Sequence, residues 1–303
     1  MALAVPSPTA APGRMLLPAL ALGSFITVLT FSAPAPFLPD IARDLGVSVP
    51  LLGQVTAAML ILSAPLGLVA GPVADRYGSR RLILLGLAAA AACLFIFGLT
   101  PVFAALFLAS IAGALSEATV PGLSLAIAGT RYHGPASRRA IGWTIGALAC
   151  APIVGVPILT MIGGVAGWRA AFLVAGGAAC VIVLLAAAWL PDDAQRPAEA
   201  FRFHTLLDAY RPLLRDGAMR RLYGCSVLRS ACWFGLLTYV GSLLREQFGL
   251  TASETGLVYM LAGSGYLAGS LVAAGPFARI PARPLVAISN AIMGLLMLVA
   301  FSA

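Results

Sequence analysis

The sequence predicts an all-α integral membrane protein, and three observations carry that prediction. Hydrophobic residues make up 60% of the 303 positions and charged residues only 10%, against about 25% charged in a typical soluble domain. The mean hydropathy is +0.97, too high for a protein that must present a polar surface to water. The apolar residues also fall into runs of about 20, the length that a helix needs to cross the hydrocarbon core of a bilayer.

Nine such runs are predicted to be transmembrane helices. They cover residues 15–37, 51–74, 82–100, 103–130, 141–163, 169–190, 219–243, 255–276 and 285–303. The spans divide six and three around a polar stretch. The predicted segments are a cytoplasmic tail at 1–14, a six-helix N-terminal bundle at 15–190, a cytoplasmic linker at 191–218 and a partial, three-helix C-terminal bundle at 219–303. The first span lacks a clear cleavage site and is too long for a signal peptide, so we expect it to stay in the membrane.

The linker has an amphipathic second half, with apolar residues at helical spacing between Phe203 and Leu214. Two interpretations fit this pattern equally well. The segment is either a helix that lies on the cytoplasmic membrane surface or a solvated connector.

The arginines predict the orientation of the spans. With the N-terminus inside, fifteen arginines fall in cytoplasmic segments and three, Arg43, Arg169 and Arg245, in outer loops. Basic residues accumulate on the cytoplasmic side of membrane proteins. We therefore expect a multi-pass protein of a bacterial plasma (inner) membrane with a cytoplasmic N-terminus. Because the arginines are scattered in short loops between the spans, the topology explains the basic net charge. We therefore expect no nucleic acid as a partner.

The two sides of the linker resemble each other. The stretch 44–54, DLGVSVPLLGQ, aligns with 247–257, QFGLTASETGL, so that Gly46 matches Gly249 and Gly53 matches Gly256. Further on, GPVAD at 71–75 aligns with GPFAR at 275–279. Parallel repeats, one in each bundle, are typical of secondary transporters that bind substrate between the halves.

A dense polar stretch, GPVADRYGSRR, separates the second and third spans. It resembles the loop signature of the major facilitator superfamily, G-x-L-a-D-r-x-G-r-[KR], at Gly71, Asp75, Arg76, Gly78, Arg80 and Arg81. Gly78 permits a tight turn there. The resemblance implies that the Asp and Arg positions form a charge latch, which joins the two bundles when the cytoplasmic side is closed. The alternative is a loop anchored by its arginines alone, which leaves Asp75 unexplained.

The fifth and sixth spans resemble the drug- and sugar-efflux branch of that superfamily (arabinose-efflux-permease-like). A glycine-rich fifth helix with a G-x-P step precedes a GWR-x-x-F entry to the sixth. The residues that carry the pattern are Gly142, Gly146, Gly155 and Pro157. Glycines allow close helix packing and proline bends a helix. One feature departs from the branch, because Ala109 stands where many proton-coupled antiporters have an arginine before Gly113.

Two charges lie inside predicted spans. Glu117 is the only acid within any span, and Pro121 four residues later lacks the N–H that would bond its carbonyl. Arg229 lies within the seventh span. Charges at this depth are costly and usually functional. By resemblance both helices line the central cavity, so we expect Glu117 to carry a proton or bind a cation there and Arg229 to pair with it. A structural ion pair, or an Arg229 that reaches the membrane surface, is the alternative.

The predicted function is secondary active transport of a small-molecule substrate, with proton-coupled efflux of drug-like compounds or sugars as the leading form. Uptake of a metabolite is one alternative. Since the superfamily normally has twelve helices, a fragment or an inactive degenerate product is another. The sequence contains no P-loop for ATP and no catalytic constellation, and His133 and His204 lack metal-ligand partners. We therefore expect no enzyme activity, no metal, no cofactor other than the proton gradient, and a monomer in the lipid bilayer when complete.

Overall fold

The computed structural model describes residues 13–192, 215–274 and 287–295. Seven helices in these ranges are long and apolar enough to cross a membrane. In chain order the helices are α1 (Leu16–Leu45), α2 (Val49–Tyr77), α3 (Ser79–Leu99), α4 (Ala105–Arg131), α5 (Pro135–Ala166), α6 (Trp168–Trp189), α7 (Gly217–Gln247) and α8 (Ala252–Ala274). Residues 287–295 are also helical.

Several predicted segments fall wholly or partly outside the described residues. They are most of the tail at 1–14, residues 193–214 of the linker predicted at 191–218, the GPFAR match at 275–279 and much of the ninth span, 285–303.

Two of the helices are interrupted by proline-containing turns. In α1, a 3₁₀ turn at Ala35–Phe37 separates Leu16–Ser32 from Leu38–Leu45. In α5, a π turn at Ala151–Gly155 lies between Pro135–Cys150 and Val156–Ala166. Proline has no N–H to donate and its ring clashes with the preceding turn, so the helical bond pattern changes there.

Several helices extend beyond the apolar windows that predicted them. The first span was expected to end at residue 37, but a helix continues to Leu45 with Asp40, Arg43 and Asp44 in its last turns. Similarly, α5 begins at Pro135 rather than 141 and carries two arginines in its first turns. A hydropathy window stops at the first charges, whereas a helix continues until its backbone is capped.

The first six helices share one apolar core. Helix α3 packs against α4 and α6, α2 packs against α4, and α1 contacts α4, α5 and α6. Phe172 lies at the centre of an aromatic cluster, stacked on Phe97 at 5.1 Å between ring centroids and edge-on to Phe37 at 5.9 Å. This packing positions α1, α4 and α5 side by side, on the side of the bundle that faces α7 and α8.

The helices alternate in direction, so the molecule has two ends. The Asp40 end holds the ends of α1, α3, α5 and α7 and the starts of α2, α4, α6 and α8. The Arg80 end is opposite. Helix α8 packs along α5, including its π turn, while α7 contacts α1 and α2. The buried residues of α7 are Thr238, Gly241 and Ser242, so α7 meets the first six helices near the Asp40 end.

Candidate functional site

A cavity of about 220 Å³ lies between the first six helices and the pair α7 and α8. Its walls come from α1, α2, α4 and α5 on one side and from α7 and α8 on the other. Among the described residues that line it, Glu117 is the only one with a charge. The rest are mostly aliphatic and aromatic, so the cavity is an apolar chamber with one acid.

Glu117 enters this cavity from the middle of α4. Its Oε2 atom is buried and has no hydrogen-bond partner within the described residues. The hydroxyls closest to it along α4 are engaged elsewhere, since Ser116 and Thr27 bond each other at 3.0 Å and Thr119 Oγ1 donates to the Leu115 carbonyl at 2.7 Å. Helix α4 runs unbroken through Pro121. A carboxyl group so placed can exchange a proton or attract a cation.

The structure does not bring Arg229 together with Glu117. Arg229 is exposed on α7 and is not among the residues that line the cavity. Helix α7 instead lines it with the next turns, through Trp233, Phe234 and Leu237. Arg229 was expected in the cavity beside Glu117, and in this conformation it lies outside the lining, so the pairing of the two charges stays a prediction.

The polar stretch between α2 and α3 forms a tight turn at the Arg80 end. Gly78 adopts φ +94°, a conformation that favours glycine, and its N–H bonds the Ala74 carbonyl at 2.8 Å. Arg80 donates to the Ala187 carbonyl at 2.6 Å and pairs with Asp192, both at the end of α6. The other four residues of the signature are exposed: Gly71, Asp75, Arg76 and Arg81. In this conformation Arg80 therefore ties helices within the first group of six.

The glycines of α5 divide into two kinds. A Cβ at Gly155 would lie 2.8 Å from Leu29 Cδ1 and 3.1 Å from Phe25 Cζ, so this glycine allows α1 and α5 to approach closely. A Cβ at Gly142 or Gly146 would meet nothing within 4 Å. The close packing expected of these two is absent from the described part of the chain, because they lie where α5 faces open space.

The bending expected in α5 takes the form of its π turn. The Val156 N–H bonds the Ala151 carbonyl, five residues back, and Pro157 follows directly. Within the turn, Pro152 lines the cavity. The distortion thus lies at the cavity wall, where α8 packs against it.

Sequence reasoning missed the ion pair that joins α7 to α1 at the Asp40 end. Arg245 donates to both carboxylate oxygens of Asp40, at 2.5 and 2.9 Å, and to the Pro36 carbonyl at 3.1 Å. Both side chains are largely buried. Gly241 lets the backbones of α7 and α1 approach each other beside this pair, since a Cβ there would lie 3.0 Å from the Ala35 carbonyl oxygen. We call this contact the Asp40 seam: Asp40, Arg245, Pro36, Ala35 and Gly241.

A second missed feature explains the GWR entry to α6. Gly167 forms the turn at φ +83°, and the two residues after it bind the end of α1. Asp44 Oδ2 accepts from Trp168 Nε1 at 2.9 Å and from Arg169 at 2.5 Å, while the Arg169 guanidinium lies 4.4 Å from the Trp168 ring centroid. The pattern therefore holds α6 to α1 within the first six helices.

The family model of the Major Facilitator Superfamily matches residues 20–303. The chain is 26% identical over 238 residues to the MFS-type transporter YceJ of Bacillus subtilis, covering 78% of this chain and 60% of that protein. It is 27% identical over 263 residues to the inner membrane transport protein YdhP of Escherichia coli K12, covering 83% and 63%. It is 29% identical over 273 residues to a chloramphenicol resistance protein of Streptomyces lividans, covering 89% and 67%. The chain thus spans between 60% and 67% of the length of these relatives.

Solved structures have the same fold. A bacterial homologue of the human lysosomal transporter Spinster, in an inward-facing and unoccupied conformation, matches with a TM-score of 0.68 and 17% identity over 88% of this chain and 63% of that one. The inward-open xylose transporter XylE of E. coli matches with a TM-score of 0.57 and 13% identity over 87% and 69%. The helices of this chain are arranged as in these transporters, and the family model covers nearly its whole length. The chain belongs to the major facilitator superfamily.

Proposed function

We propose that this chain forms the cavity of a secondary active transporter, which exports small drug-like compounds or sugars from a bacterium in exchange for protons. The observation that carries the proposal is Glu117, whose buried Oε2 atom has no hydrogen-bond partner among the described residues and which lines a cavity between two groups of helices. Intramembrane acids of this kind serve as proton relays in transporters. The relative named for chloramphenicol resistance supports export of drug-like compounds. The energy source in this proposal is the proton gradient, and the membrane is the bacterial inner membrane.

We further propose that the structure is the conformation open to the cytoplasm. The Asp40 seam joins α1 to α7 beside the cavity, which Ala35 also lines, and we infer that it closes the cavity at this end. The arginine distribution assigns that end to the outside, and the N-terminus to the cytoplasm. The two solved transporters with this fold are described as inward-facing and inward-open, which supports the assignment.

In the proposed cycle Glu117 alternates between its two protonation states. Protonated, it carries no charge and is easily accommodated in the apolar cavity. Ionised, its buried Oε2 atom has no hydrogen-bond donor among the described residues, so the charged form of Glu117 is costly in the apolar cavity. When the cavity opens to either side of the membrane, the surroundings of the carboxyl group change. The proton affinity of Glu117 therefore changes as well, without help from Arg229.

The polar stretch at the Arg80 end belongs to the opposite half of this cycle. Asp75, Arg76 and Arg81 are exposed here, and we propose that they form the latch between bundles when the cytoplasmic side closes. In the conformation described here, Gly78 forms the turn and Arg80 holds it against α6.

Everted membrane vesicles test proton coupling directly. The protein is expressed in bacteria, respiration acidifies the vesicle interior, and a fluorescent amine reports the pH gradient. Adding chloramphenicol or a sugar that is a substrate should dissipate part of the gradient. Glu117→Gln should reduce that proton release at least tenfold, while passive equilibration of radiolabelled substrate continues.

The matched control is Glu246→Gln, which makes the same change at an exposed position outside the cavity. It should behave as the unmodified protein does. If the Glu117→Gln protein still concentrates substrate at the expense of the proton gradient, Glu117 is structural and the proposed coupling is wrong.

A further inference from the structure

The walls of the cavity indicate which substrates it accepts. On the side opposite Glu117, α7 contributes Trp233 and Phe234, and α8 contributes Tyr259 and Tyr266. Phe31 on α1 meets Phe234 edge-to-face at 5.2 Å between ring centroids. Aromatic faces attract cations, most strongly when water is excluded. The cavity therefore combines an acid on one wall with electron-rich rings on the other.

Several hydroxyls of the cavity lining are already bonded to carbonyls of the protein. The Tyr259 hydroxyl donates to the Leu237 carbonyl at 2.6 Å, and Thr238 Oγ1 donates to the Phe234 carbonyl at 2.7 Å. Ser32 Oγ donates to the Val28 carbonyl at 2.7 Å. A sugar that entered would lose its bonds to water, which is costly, and would have to replace them mainly at Glu117 and at the Thr56, Trp233 and Tyr266 groups of the lining. A weakly hydrated organic cation would lose much less.

The balance of charge leads to the same class of ligand. Among the described residues that line the cavity, Glu117 is the only charged one, so an ionised Glu117 has no protein cation beside it. A buried carboxylate needs a counter-ion or a proton. An anionic substrate would meet repulsion from Glu117 and no basic side chain from the lining.

We propose that the cavity binds monovalent organic cations that carry aromatic rings, with the cationic centre at Glu117 and the rings against Trp233 and Phe234. This inference names the substrate class of the transporter proposed above. It rests on that proposed function only because it treats the cavity as the substrate site. Cation and proton compete for one carboxylate.

Equilibrium binding to the purified chain in detergent tests this inference without any gradient. The probes are tetraphenylphosphonium, a permanent cation, and triphenylphosphine oxide, a neutral molecule with similar rings. The cation should bind at least tenfold more tightly. Glu117→Gln should remove that preference, Glu117→Asp should retain most of it, and Glu246→Gln should leave it unchanged. Trp233→Leu should weaken cation binding by roughly threefold to thirtyfold, the range of a cation–π contact.

The pH dependence gives a second readout, because tetraphenylphosphonium has no titratable group. The groups facing Glu117 across the cavity are the phenols of Tyr259 and Tyr266 on α8, with no charged residue among those that line it from α1, α2, α5 and α7. Acidification should therefore weaken cation binding through Glu117 alone. The dependence should vanish in the Glu117→Gln protein.

Three results would overturn the inference. They are equal binding of the cation and its neutral analogue, unchanged cation binding by a monodisperse Glu117→Gln protein, or pH dependence that survives this substitution. Transport assays separate this inference from the proposed function. Tight cation binding without proton-driven transport would contradict only the function, and coupled transport of neutral compounds alone would contradict only the substrate class.

Discussion

Hydroxyl side chains within the helices mostly satisfy themselves. Thr30, Ser32, Thr144 and Thr238 each donate to the carbonyl four residues earlier in the same helix. This back-bonding lets a serine or threonine lie inside an apolar bundle at little cost. A glutamate has no proton to donate once it is ionised, so Glu117 cannot use the same solution. This is why a proton or a bound cation is proposed to satisfy Glu117 in the cavity wall.

Gly86 provides a residue-scale test of packing between α3 and α4. A Cβ there would overlap the Thr119 hydroxyl and lie 2.7 Å from Val120 Cγ2. Thr119 would have to rotate and lose its bond to the Leu115 carbonyl. We expect Gly86→Val to destabilise the chain by about 1–3 kcal/mol, as overpacking does, and to lower the melting temperature in detergent by several degrees.

Gly122 on α4 is the control for this substitution. A Cβ at Gly122 would meet nothing within 4 Å, so Gly122→Val should melt close to the unmodified protein. Equal melting temperatures for the two variants would show that the α3–α4 contact adjusts freely and that Gly86 has no packing role.

The residues that sequence alone could identify are those with a local signal. Glu117 stands out because no other acid lies inside a predicted span, and Gly78 because it follows an acid and precedes two arginines. The Asp40–Arg245 pair joins residues 205 positions apart, and nothing in either local sequence indicates the partner. Arg229 was expected in the cavity, but depth along a helix does not specify which face a side chain occupies.

At the level of elements, the internal repeat has a structural counterpart. Gly46 and Gly249 end α1 and α7 with φ of +65° and +67°, so both repeats turn at the same point. The aligned pair Gly53 and Gly256 then bring helices together across the bundles, the former against the Tyr239 hydroxyl and the latter against Thr160. The sequence predicted the repeat, and the structure shows that its glycines serve contacts between the two groups of helices.

The Asp40 seam leads to a prediction about α1 and α7. Asp40→Asn removes the charge that Arg245 binds through two hydrogen bonds, leaving a largely buried arginine without its counter-ion. Loss of one partner of such a pair is strongly unfavourable. The seam should open more often, so a cysteine at the buried position Ser242 should react several-fold faster with an impermeant thiol reagent added outside cells.

The measurement uses the protein in a background without the native cysteines. Glu246→Gln, next to Arg245 but exposed, is the control and should leave the labelling rate unchanged. Exchanging the charges with Asp40→Arg and Arg245→Asp should restore slow labelling. Identical rates in the Asp40→Asn and unmodified proteins would show that the ion pair does not hold the seam.

At the scale of the whole molecule, the helices alternate in direction, so one question fixes the whole topology: which of the two ends faces the cytoplasm. The Arg80 end carries the turn between α2 and α3 and the start of α5, both rich in arginine, whereas the Asp40 end carries Arg43, Arg169 and Arg245. At the Asp40 end all three arginines are engaged by acids, namely Asp40 for Arg43 and Arg245 and Asp44 for Arg169. The larger number of arginines lies at the Arg80 end, in agreement with the expectation that this end is cytoplasmic.

Single cysteines report this orientation in intact cells. Ser48 lies exposed in the turn between α1 and α2, Ser79 begins α3 and Ser137 lies in the first turn of α5. With the native cysteines replaced, we expect an impermeant thiol reagent to label Ser48→Cys in intact cells, and to label Ser79→Cys and Ser137→Cys only after the membrane is permeabilised. The permeabilised sample controls for reactivity, because all three should then be modified. Labelling of Ser79→Cys but not Ser48→Cys in intact cells would reverse the orientation, and with it the direction in which the cavity opens.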